Sequence, residues 1–477
     1  MTQGTEAYPR MAMLSDEQCR AVHLASLEIL RRTGVRVYHD EALGLLRDSD
    51  VVVSDENLVR FSADIAEWAL DQAPSRIALC RRGGADVVAP LEGRRVNFGP
   101  GSDCLNYLDP RTGARRKFKA EDVVECVRLV DALPELDFCM SMGIPADLET
   151  DSAYRWQFAK MMEHTTKPIV FVCDDRADCE AIVAMAAAAA GDVNKLRLNP
   201  SLLLYSEPST PLKHSETATG KLLYMAEQAL PIVHSPAPMM GGTAPATMAG
   251  GLALGNAEVL SSLVMHQLKR PGAPFVYGSG LHHLDMRTTI SVYSAPEFEL
   301  ARVAVAEMGR FYDLPTWGYA GHSDSCTMDE QAAADAVFSV LASLLAGSNL
   351  VHDVGYLEAG LTTSPEMIVF TAEMIQMLRR FMGGVSLDAH SLALDVIHSV
   401  GPGGEFLSTE HTMDHFRDFW EPTLFNRQRV EDWVEAGSKR LGDRLRDRTV
   451  AIIDGHEPEP LSEHARQEIG YILDSGS

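Results

Sequence analysis

Short runs rich in β-branched and aromatic residues recur along the chain, and most pass through a Gly-, Pro- or Ser-rich loop into a stretch with helical spacing of apolar positions. Eight such runs stand out: RRVNFGPGS (94–102), LDFCMSMGIP (136–145), KPIVFVCDD (167–175), SLLLYSEPSTP (201–211), LPIVHSPAPMMGG (230–242), APFVYGSG (273–280), PTWGYAGHSDS (315–325) and SNLVHDVGYLEAG (348–360). Between them lie helical segments such as EDVVECVRLVDAL and ATMAGGLALGNAEVLSSLVMHQL. Alternating strand and helix is the pattern of a parallel sheet with crossover helices, and eight units predict a (β/α)8 TIM barrel. An open doubly wound sheet competes, but its usual GxGxxG after the first strand is absent. FGPGSD leads instead into a hairpin over CLNYLDPRTGARRKF.

Residues 1–93 read as a separate, mainly helical cap. SDEQCRAVHLASLEILRRTG has an N-cap in Ser15 and a terminal Gly34, and SADIAEWALDQAP ends at Pro74. The barrel core is expected over 94–360. A C-terminal helical region over 361–477, through PEMIVFTAEMIQMLRRFMGG and TMDHFRDFWEPTL to a charged surface helix, would complete and cover it.

Charge removes whole classes of partner. Sixty-seven acidic against 42 basic residues give a formal charge of −25, which repels phosphate backbones and anionic membranes. The eight cysteines are dispersed without CxxC pairs, so neither a disulfide scaffold nor a zinc ribbon is expected. The opening MTQGTEAYPRMAML lacks the pattern of a leader, and no uninterrupted apolar run reaches the roughly 20 residues that span a bilayer. A cytoplasmic protein is the expectation, with neither nucleic acid nor membrane as partner.

In such a barrel the chemistry sits at the carboxyl ends of the strands. That places Phe98, Tyr205, His234, Tyr277, Tyr319, His352 and Tyr356 at the mouth, together with the loop GHSDSC (321–326). Aromatic faces attract a methylammonium by about 0.5–2 kcal/mol each. The competing reading is that these rings simply fill the interior. His322 could bind or orient a substrate, or be satisfied by Asp324 or a backbone carbonyl. Asp324 could position His322 or face the cation, or cap the helix that starts near Thr327. Cys326 reads as a small buried residue, or else a thiolate at a helix N-terminus. No metal site is expected, since His282 and His283 are adjacent and no HxxxH spacing occurs. Glu258 lies inside an apolar helix and reads as structural. Arg155, Lys213 and Arg287 are possible counter-ions for a substrate carboxylate.

EPSTPLKH, APMMGGTAPATMAGGLALGNAEVLSSLVMHQLKRPGAPFVYGSG, AGHSDSCTMDEQAA and GYLEAGLTTSPEMIVF together resemble the trimethylamine methyltransferase family, and the likeness runs through most of the chain. The resemblance implies a (β/α)8 barrel that moves a methyl group from a methylated amine to the cobalt of a corrinoid. In trimethylamine-specific members a pyrrolysine precedes the Ser-Asp of the loop; here His322 holds that place. The chain is therefore similar to the pyrrolysine-free branch, which implies a quaternary amine, glycine betaine or a related betaine, as donor. It also implies a corrinoid (cobalamin), carried by a separate corrinoid protein, as acceptor. Met240, Gly241 and Gly242 are then expected to let a flat corrin face approach the backbone. Direct transfer to tetrahydrofolate or a thiol, and a betaine-binding protein without catalysis, are the alternatives. A homo-oligomer is expected.

Overall fold

The structure, a computed structural model, describes residues 6–475. The first five residues of the stretch read for a leader, and the last two of the C-terminal region, lie outside that range.

Seven of the eight runs contain a short parallel strand: Asn97–Phe98, Ile169–Phe171, Leu202–Ser206, Ile232–His234, Phe275–Val276, Trp317–Tyr319 and Leu350–His352. The second to fifth of these pair in chain order, from Ile169–Phe171 to Phe275–Val276. Trp317–Tyr319 pairs with Leu350–His352, which pairs in turn with Asn97–Phe98. A single bridge from Tyr277 to Thr316 links the two sheets. The run 136–145 is extended backbone and not a strand, and Met142 at φ +67° interrupts it. It still joins its neighbours: Asp137 N donates to Phe98 O at 2.6 Å, and Cys139 bridges to Ile169.

Side chains alternate across each strand, and the alternation sorts the core in two. Val170, Leu203, Val233, Val276, Trp317 and Leu350 share one buried interior cluster. Their neighbours Ile169, Phe171, Leu202, Leu204, Ile232, Phe275 and Val351 pack in a second cluster with the helices. At the amino ends of the strands the antiparallel hairpin Ile77–Cys80 with Val87–Leu91 contributes Ile77, Leu79, Ala89 and Leu91 to the interior cluster and closes it.

The N-terminal segment is mixed, not mainly helical. It holds the helices Asp16–Arg32, Asp40–Arg47 and Ala63–Gln72, and also the strands Val35–Val37, Val51–Ser54 and Leu58–Phe61 beside that hairpin. Val51, Val52, Val53, Val59 and Phe61 are β-branched or aromatic and favour strand over helix there. Ser15 forms a capping box with Gln18, as its spacing predicts. Asp16–Arg32 and Ala63–Gln72 pack on Met248–Lys269. That helix is long and apolar enough to cross a membrane, but 83% of its most apolar window is buried inside the fold. A helix apolar all round needs cover, and the N-terminal helices provide it.

After Pro365–Met382 the chain differs from expectation. The helix expected over TMDHFRDFWEPTL shortens to Glu410–His415 and one turn, Phe416–Asp418, while the charged end forms Leu441–Gly455 and Glu463–Ser475. Leu441–Gly455 buries Leu445, Ile452 and Ile453 against the core.

Candidate active site: an acidic aromatic pocket at the carboxyl ends of the strands

Continuing two residues along an inward-facing register moves from the apolar interior to a polar pocket. Leu203 is followed by Tyr205 and Glu207, Trp317 by Tyr319, and Leu350 by His352. These side chains line a cavity of about 190 Å³, with Tyr293, Phe298 and Tyr356 completing the rings and Asp103 and Asp353 adding carboxylates. His352 stacks on Trp317, centroids 4.4 Å apart, and lies 4.4 Å from Tyr319. Tyr205 stacks on Trp317 at 5.3 Å, and Tyr293 on Phe298 at 5.2 Å. The rings are therefore held by one another.

Two of the three acids are held by hydroxyl donors. Tyr205 Oη donates a short hydrogen bond to Glu207. Ser102 Oγ donates to Asp103 at 2.9 Å and Tyr154 Oη at 3.4 Å. Asp353 Oδ1 lies 2.7 Å from His352 Nδ1, a close contact without hydrogen-bond alignment. Burial pushes the Asp103 carboxyl up, against the lowering bonds from Ser102 and Tyr154. Glu207 reaches the solvent of the pocket, yet protein crowds it on every side. The crowding raises its pKa, against the lowering hydrogen bond from Tyr205. Tyr356 Oη donates to Ser102 O, and its ring end occupies the space where any Cβ at Gly101 would fall.

Of the residues expected at the mouth, Tyr205, Tyr319, His352 and Tyr356 line the pocket. Phe98, His234 and Tyr277 do not, because strand alternation turns them outward. Phe98 packs among the helices under the Arg379 guanidinium. Tyr277 donates to Asn256 at 2.8 Å, and His234 faces His214.

His322 stands behind the pocket wall. Fully buried, it meets Phe298 and Tyr293 edge-on and places Nε2 3.0 Å from Tyr293 O and 3.5 Å from Glu299. Its Nδ1 is 3.9 Å from Asp353. Burial opposes its charge, but Glu299, Asp353 and Asp324 outweigh that and hold its pKa above the usual value. Asp324 neither caps a helix nor faces the pocket; it accepts from Tyr293 N at 3.0 Å and Ser294 N at 3.1 Å, and Asp329 caps the helix instead. Cys326 is exposed, not buried. Glu258 accepts from Leu212 N and Thr210, as a structural carboxylate would.

Met240 is buried, whereas Gly241 and Gly242 are exposed in a tight turn with Gly241 at φ +86°. The strand Met239–Met240 pairs with His282–Asp285, whose His282 lines the pocket, so this turn is part of the rim. Exposed Met286 and Ile290 extend the rim as an apolar surface. A larger, open groove of about 840 Å³ lies elsewhere, over residues 389–414, and gathers none of these rings.

Parallel strands with helices, carrying aromatic rings and carboxylates around a pocket at their carboxyl ends, have the α/β architecture in which enzymes place their sites. The chain belongs to the trimethylamine methyltransferase family (MTTB), which it matches over residues 1–473, and it is a methyltransferase. It is 31% identical to a trimethylamine methyltransferase MttB of Desulfitobacterium hafniense over 97% of this chain and 94% of that protein. A glycine betaine methyltransferase from another strain of that species is 30% identical, over 90% and 89%. Among solved structures, the Methanosarcina barkeri monomethylamine methyltransferase (MtmB) is similar in fold, with a TM-score of 0.52 at 13% identity over 93% of this chain and 89% of that one.

Proposed function

We propose that this protein takes a methyl group from a quaternary ammonium compound and passes it to a Co(I) corrinoid carried by a separate protein. The fold that goes with this reading is a (β/α)8 barrel over 94–360, covered by 1–93 and 361–477. The observation that carries it is the pocket: ring faces and carboxylates converge on a small space where a desolvated cation is favoured. Loss of one methyl turns a quaternary ammonium into a neutral tertiary amine, so the leaving group needs no proton. No residue has to act as a general acid, which agrees with His322 standing behind the wall.

What the chain must supply is desolvation and alignment of one methyl toward the acceptor. The stacked rings hold the cation; His322, Asp324 and Glu299 hold Tyr293 and Phe298 in place from behind. Positive charge disappears as the methyl leaves, so strong ion pairs would stabilise the ground state more than the transition state. Ring faces, which carry no net charge, avoid that excess. The Co(I) corrinoid is the acceptor substrate and supplies the nucleophile. The glycine turn and the apolar rim at Met286 and Ile290 suit a flat macrocycle. Keeping cobalt as Co(I) needs a reducing compartment, which supports a cytoplasmic setting.

The test follows methylcobalamin absorbance after mixing the protein with Co(I) cobalamin and a panel of quaternary amines, with trimethylamine in parallel. Quaternary donors should methylate the cobalt and trimethylamine should be nearly inert. Robust trimethylamine turnover, or transfer to tetrahydrofolate without cobalt, would overturn the reading.

A further inference from the structure

We infer that the donor accepted by this pocket is a methylated ammonium cation bearing no carboxylate, so that zwitterionic betaines are disfavoured. This rests on the reading of the pocket as the methyl-donor site.

Three carboxylates, of Asp103, Glu207 and Asp353, line the cavity, and among the described residues no Lys or Arg does. The basic residues that the sequence offered as carboxylate partners are engaged elsewhere. Arg155 pairs with Asp178. Lys213 is exposed beside the Tyr38 ring, and Arg287 is exposed near Asp285. Two cations lie closer to the pocket, and neither lines it. Lys221 Nζ donates to Cys173 O at 2.5 Å. Arg302 is buried with its guanidinium carbon 4.4 Å from the Phe298 ring centroid and 4.6 Å from that of Tyr319, and it donates to Leu281 O. Those rings separate it from the cavity.

A betaine carboxylate inside about 190 Å³ would come within a few ångströms of Asp103, Glu207 or Asp353 with no Lys or Arg among the described lining residues to meet it. Like charges at that range repel strongly where little water intervenes. A carboxylate stripped of water without a partner is costly besides. A simple cation meets neither penalty, and a hydroxyalkyl arm finds acceptors in the same three carboxylates.

Isothermal titration of the full chain with tetramethylammonium, choline and glycine betaine tests this. Tetramethylammonium and choline should bind about tenfold or more tighter than glycine betaine. In Glu207→Gln the preference should narrow, because one of the repelling charges is gone; the wild-type comparison stands whether or not that variant folds. Equal or tighter binding of glycine betaine by the wild type would overturn the inference while leaving the methylammonium reading intact. If none of the three binds, the reading of the pocket itself fails and the inference with it.

Discussion

Leu203 and Glu207 lie on one run of backbone, yet the first sits in a dry apolar plug and the second in an acidic pocket. The same contrast repeats from Leu350 to His352 and from Trp317 to Tyr319. At the amino ends of the strands the hairpin of Leu79 and Leu91 excludes water, and packing alone decides what fits there. At the carboxyl ends the same inward register presents groups that can meet a cation. Parity along the strand selects which side chains point inward; position along it selects whether they stabilise or bind.

The largest effect should come from the plug. Leu203→Ala should lower unfolding free energy by roughly 2–5 kcal/mol in urea melts, while the folded fraction keeps its affinity for tetramethylammonium. A loss of affinity as large as the loss of stability would mean that the two ends are not separable.

Next comes the loop that carries Glu207 away from its strand. Glu258 holds Leu212 and Thr210 in that loop, and burial raises its carboxyl from 4.5 to about 7. Because the folded pKa is the higher one, its contribution is complete below pH 4.5 and is lost as the pH climbs through about 7. The slope amounts to roughly 3 kcal/mol. Glu258→Gln should flatten that part of the stability profile, measured by thermal or urea unfolding between pH 4 and 8.

Removing one ring at the binding end should cost less. Tyr205→Leu should weaken tetramethylammonium binding by about 0.5–2 kcal/mol, roughly 2- to 30-fold in Kd. Glu207→Gln should act mainly on KM, with kcat held or raised, since the carboxylate favours the charged ground state. A fall in kcat at constant KM would place Glu207 in the chemical step instead.

The smallest change should be His322→Gln, which keeps a donor toward Tyr293 O. The raised pKa of His322 gives stability that is present below about pH 6.5 and lost as the pH rises through the folded value. The variant should therefore trail the wild type in acid and converge with it in alkali. A gap that widens with rising pH would reverse the sign of the argument.

Much of this was legible in the sequence. Seven of the eight strand positions, the capped helix after Ser15 and the hairpin after FGPGSD are local signals, written in alternation, caps and turn residues. The site was legible only in part. Ring side chains are expected on six of the eight runs, and parity divides them: Tyr205, Tyr319 and His352 share the inward register of Leu203, Trp317 and Leu350, while Phe98, His234 and Tyr277 stand one step out of it. The same parity could have found Glu207, two residues beyond Tyr205. Tyr293 and Phe298 had no such signal, because the segment that brings them in, around 281–298, belongs to no predicted strand. His322 is set behind the wall by carboxylates from three separate segments, at 299, 324 and 353, and no local pattern encodes such a meeting.

The most direct test of the central claim is a crystal structure of the full chain grown with tetramethylammonium. The account predicts the nitrogen within about 6 Å of the ring centroids of Tyr205, Tyr293 and Tyr319, near Asp353. Density for the cation in the open groove over residues 389–414, with the ring pocket holding water alone, would contradict it.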